Sequence, residues 1–113
     1  MSIEQHNVVD FVRIDNKTGE VVLSITDHLD WNAPMEHIWQ LQEKIKSYIR
    51  FIESGEMLEK FPKAKDQIIV IEVVVKELYP NTEVVQKFIE WSNETLKDMS
   101  AQLRLRLFKE HVS

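Results

Sequence analysis

The run Ile68-Ile69-Val70-Ile71-Glu72-Val73-Val74-Val75 limits what this chain can fold into more than any other segment. It is β-branched almost throughout, and β-branched side chains pack well on a pleated surface while losing rotamer freedom in a helix. Its apolar residues do not alternate with polar ones, which marks an interior strand covered on both faces or a strand flanked by helices. A membrane-spanning helix needs about 20 apolar residues, and this run is far shorter and carries Glu72. The chain therefore builds a sheet around this strand.

The flanking segments supply what covers it. Upstream, Val8 to Ile14 and Val21 to Thr26 read as strands, joined by Asp15-Asn16-Lys17-Thr18-Gly19-Glu20. That cluster suits a type I turn followed by a left-handed residue, where Gly19 meets no Cβ penalty. From Met35 the apolar positions Ile38, Leu41, Ile45, Tyr48 and Ile52 recur at steps of three and four, which places them on one helical face. Asn32 is the expected cap, and Pro34 is tolerated in the first turn because its missing N–H would have no partner there. Gly55 is the expected left-handed stop, and Glu56 to Phe61 adds a further helical turn before Pro62.

Downstream, Pro80-Asn81-Thr82 introduces a second long helix that buries Val85, Phe88, Ile89, Leu96 and Met99. Leu103-Arg104-Leu105-Arg106-Leu107 then alternates as a strand with one wet face. The order is ββαβαβ, an α+β chain with one mixed four-stranded sheet and both long helices mainly on one face. With 113 residues, two glycines and three prolines, it forms a single domain over residues 1–113 with short connections, its ordered core at about 8–108.

Composition narrows the function classes. The chain has no cysteine, hence no disulfide, no thiolate chemistry and no Cys-based zinc site. The N-terminus lacks the basic and apolar regions of a secretory signal, so a cytoplasmic location is expected. Net charge is −5, and residues 1–37 hold seven acids against Arg13 and Lys17. Such a surface repels phosphate backbones and anionic membranes and favours a basic protein partner. No phosphate loop, nucleophile elbow or HExxH is present. No catalytic residue is assigned and no cofactor is implied.

The densest group of polar and aromatic side chains is Asp27, His28, Asp30 and Trp31, with Glu36 and His37 one helical turn on. These six are the candidate binding residues, because strand-to-helix loops commonly carry sites. Carboxylates and imidazoles also suit Zn²⁺ or Mn²⁺, so a metal or small-ligand site using Asp27, His28, Asp30 and His37 is the alternative. The plainest reading is a helix start, with acids at the positive end of the helix dipole. Trp31 either anchors a partner or plugs the loop.

Asp10 is an acid within the first strand, expected to face Arg13 or Thr26. Glu72 is expected to pair with Lys76, Arg104 or Arg106 rather than to act as an acid catalyst. Arg104 and Arg106 would guard an edge strand, and an open edge there would allow a homodimer.

Several segments have a familial look: Thr18-Gly19-Glu20-Val21, Asp27-His28-Leu29-Asp30-Trp31, Leu41-Gln42-Glu43-Lys44-Ile45 with Tyr48, Phe51-Ile52-Glu53-Ser54-Gly55, and Phe61-Pro62-Lys63-Ala64. Together they resemble a family of small bacterial proteins defined as a domain of unknown function, over roughly residues 8–108. The resemblance implies a bacterial origin and an independent α+β domain, and it carries no activity or catalytic residues. Before its last strand the chain has Asp98-Met99-Ser100 where the family turns, without a glycine.

Overall fold

The computed structural model describes residues 11–77 and 79–108, with Phe11 by its backbone alone. The elements follow the order β1 (Phe11–Ile14), β2 (Val21–Asp27), α1 (Pro34–Glu53), α2 (Glu56–Lys60), a 3-10 turn (Pro62–Ala64), β3 (Ile69–Val75), α3 (Glu83–Lys97) and β4 (Ala101–Leu107). The strands lie in the order β1-β2-β3-β4. β1 runs antiparallel to β2, whereas β2, β3 and β4 are mutually parallel. The strand within the Ile68–Val75 run, Ile69–Val75, is therefore an interior one, while Ile68 lies just before it and is exposed. The expected start of the first strand at Val8, and with it Asp10, lies outside the described residues.

Two successive crossovers that step the same way along a sheet, with the same hand, put their helices on one face. Leu41 and Ile45 from α1 and Phe88 and Leu96 from α3 accordingly share one core with Val21, Leu23, Ile25, Ile71 and Val73. Tyr48 is buried in that core and donates its hydroxyl to the carbonyl of Ser24 at 2.6 Å. Lys44 is buried as well, its ammonium 5.5 Å from the centre of the Tyr48 ring. A lysine in the middle of an apolar helical face gave no sequence signal for its burial.

The turns follow their chemistry. Asp15 accepts the backbone N–H groups of Lys17 and Thr18, and Gly19 sits at φ 77°. Those two N–H groups, Thr18 first, hold the Asp15 carboxyl below its usual range. Thr82 caps α3 by accepting the N–H of Val85. Gly55, at φ 83°, separates α1 from α2, and Ser100, at φ 53°, makes the left-handed turn into β4 without a glycine.

One expectation is corrected. The cap of α1 is Ala33, with no side-chain hydrogen bond, and not Asn32. The reason is local: Asp30 takes both the backbone N–H of Asn32 (2.9 Å) and its side-chain amide (3.0 Å), so Asn32 is bound into the preceding loop.

The face of the sheet away from the helices sets buried Val22 and Val70 beside polar side chains. Arg104 reaches across β3 to Glu20 at 3.4 Å, and Arg106 bonds Glu72 at 3.1 Å. Glu72 thus has the structural cross-strand partner expected of it. No helix among the described residues is long and apolar enough to cross a membrane.

Candidate functional site

The carboxyl ends of parallel strands are where open α/β sheets usually expose their binding loops. At this edge β2 ends on Asp27, and the chain returns through residues 28–33 into α1. A clasp of four side chains fixes that return. Asp27 is 1% exposed and His37, one turn into α1, is 2% exposed. His37 Nε2 lies 2.6 Å from Asp27 Oδ2, and Nδ1 lies 2.9 Å from the carbonyl oxygen of Asp30. Tyr79, from the loop after β3, donates its hydroxyl to Asp27 Oδ2. The other carboxylate oxygen of Asp27 accepts the N–H of Leu29 at 3.2 Å.

Trp31 closes the clasp. Its ring stacks on His37 with centroids 3.9 Å apart and meets the edge of Tyr79 at 4.7 Å. Its indole N–H is buried and makes no hydrogen bond. Trp31 is therefore the loop plug of the two roles open to it, and its packing offsets the unmade bond, whose cost is about 1–3 kcal/mol.

The arrangement limits the chemistry. A carbonyl only accepts, so His37 Nδ1 must carry a proton; Nε2 shares the other proton with Asp27. Neither ring nitrogen is left open to a metal or a substrate. His28 and Asp30 are exposed on the loop while Asp27 and His37 are buried beneath it, so the four do not converge. Among the described residues no group of three or more His, Cys, Asp or Glu side chains is placed to hold a metal ion. Of the six candidates, Asp27, Trp31 and His37 come together inside; His28, Asp30 and Glu36 lie outside. Tyr79 was missed by sequence reasoning, because a single tyrosine in a loop far along the chain signals no contact with Asp27.

The clasp predicts a pH dependence. Burial first, then the Asp27 charge and the hydrogen bond to it, push the Tyr79 hydroxyl above its ordinary range. Below about pH 10 tyrosine is protonated folded or unfolded, so it adds no pH dependence. Above that, the unfolded chain loses the proton and the folded one keeps it, so stability falls as pH rises. The slope is about 1.4 kcal/mol per pH unit. Urea unfolding at pH 9 and pH 11 should show an excess loss in the wild type that Tyr79→Phe lacks; equal losses would mean that Tyr79 ionises in the folded state.

Fold and site define a small mixed α+β domain whose strand-to-helix loop is held by an Asp–His–Tyr–Trp clasp with its Asp–His pair buried. The chain belongs to the family of unknown function DUF6572, whose model matches residues 1–109. No match was found among curated proteins or among solved structures.

Proposed function

We propose that the chain is a non-enzymatic interaction module that presents the loop and first helical turn at residues 28–36 to a basic protein. The observation that carries this reading is the division of labour in the segment. Buried Asp27 and His37 each bond the loop backbone and are tied to one another and to half-buried Tyr79, while the side chains of His28, Asp30, Met35 and Glu36 are exposed on the surface above them. A loop fixed before binding loses little entropy on binding, so its contacts convert efficiently into affinity. Met35 is 69% exposed, an apolar side chain in the same exposed segment as Asp30 and Glu36. The acidic N-terminal third supplies the matching long-range field. The metal reading is weaker, because both nitrogens of His37 are already engaged.

Asp30→Asn with Glu36→Gln tests it, since removing the charge leaves each side chain one oxygen to accept a local hydrogen bond, the backbone N–H of Asn32 in the first case and the Gln40 amide in the second. The wild-type chain, immobilised and exposed to a lysate, should retain a basic protein with a salt-sensitive affinity. The double variant should bind that protein about tenfold more weakly, mainly through slower association. Equal retention by both would remove the surface. Trp31→Ala is unsuitable as a surface probe, because it opens the clasp.

A further inference from the structure

β4 ends the sheet, and among the described residues no strand pairs with its outer side. The Ser100 carbonyl and the Phe108 N–H bond β3. Strand residues alternate in direction, so the even-numbered backbone units of β4 face β3 and those of Ala101, Leu103, Leu105 and Leu107 face outward. A row of open N–H and C=O groups is a template for another strand.

The side chains on either side of that row say what kind of strand. On the helix side, Leu105 and Leu107 continue into an open hollow of about 290 Å³ that they share with Val85 and Ile89. Beyond Ile89 a larger groove of about 700 Å³ runs along α3 to Ala101 and Ile68. On the other side stand Arg104 and Arg106, the latter 56% exposed and using only its Nε toward Glu72. Among the described residues its terminal guanidinium nitrogens have no partner.

We propose that β4 is a docking edge for an extended segment of another protein in which acidic residues alternate with apolar ones. Such a strand completes the backbone ladder, lays its apolar side chains over the α3–β4 hollow, and sets its carboxylates beside Arg104 and Arg106. The alternation survives in either strand direction. A second copy of β4 fits worse. In a twofold antiparallel pair centred on Arg104, arginine faces arginine; centred on Leu105, Arg104 faces Arg106. Centring on Leu103 avoids the clash only by shortening the ladder. The net charge of −5 opposes an acidic ligand at long range, but screening over about 8 Å at physiological salt leaves the adjacent arginines to decide.

The probe is a short capped peptide of alternating valine and glutamate, compared with its valine–lysine counterpart. Binding is followed by backbone amide shifts and hydrogen exchange. The glutamate peptide should slow exchange at the Leu103, Leu105 and Leu107 amides, and the lysine peptide should bind roughly tenfold more weakly. Leu105→Pro removes one outward N–H and no bond to β3, so a folded variant should lose the response. Equal binding of the two peptides, no binding of either, or amides already protected in a self-associated free protein would each overturn the proposal. The comparison of peptides leaves the protein untouched, so it stands even where the proline variant fails to fold.

Discussion

Asp27→Ala should lower the unfolding free energy by about 3–5 kcal/mol, the range seen when one partner of a buried charged pair is removed. The loss exceeds that of a single hydrogen bond because three partners depend on this carboxylate: His37 Nε2, the Tyr79 hydroxyl and the Leu29 N–H. None can turn to water without dismantling the Trp31 stack. Asp27→Asn keeps the shape, and its amide can donate to the Nε2 of a neutral His37 while its oxygen accepts the Leu29 N–H, so it should recover part of the loss. A domain of this size has about 5–15 kcal/mol in hand, and the alanine variant would be marginal at 37 °C. Urea unfolding followed by tryptophan fluorescence measures both. A loss under about 1 kcal/mol for Asp27→Ala would show that the clasp does not hold the loop.

The elements of the fold could be read from the sequence because each had a local cause. The period of Ile38, Leu41, Ile45 and Tyr48, the left-handed stop at Gly55, the turn at Gly19 and the helix start after Pro80-Asn81-Thr82 all act within a few residues. The inward-facing half of the candidate site was readable for the same reason: Asp27, Trp31 and His37 sit within one strand-to-helix connection. What could not be read was long-range. Tyr79 meets Asp27 across 52 residues of chain, and nothing near Tyr79 signals the contact. The sense of the His37 site was also hidden, since a histidine early in a helix reads equally as a ligand and as a link between Asp27 and a carbonyl. Only the two distances, 2.6 and 2.9 Å, decide for the link. The cap at Asn32 failed because Asp30, two residues earlier, competes for the same groups and wins.

The Glu72–Arg106 pair should show a marked asymmetry. Glu72 lies in the middle of the sheet with its side chain 5% exposed, whereas the Arg106 side chain is 56% exposed. The Cα register sets Glu72 opposite Arg104, but Arg104 turns to Glu20, so Arg106 makes the bond from the diagonal position. Arg106→Leu strands a buried carboxylate and should cost about 2–3 kcal/mol, somewhat below the fully buried case because water screens the guanidinium. Glu72→Leu leaves an arginine that water can solvate and adds apolar area beside Val70 and Val22, so its cost should be about 0–1 kcal/mol. The double variant should match Glu72→Leu, giving a coupling close to the full cost of Arg106→Leu. Unfolding of the three variants under one set of conditions yields that cycle. Equal losses for the two single variants would mean that Arg106 stabilises by covering Val70 and Val74 with its methylene stem, and that the charge of Glu72 is met elsewhere.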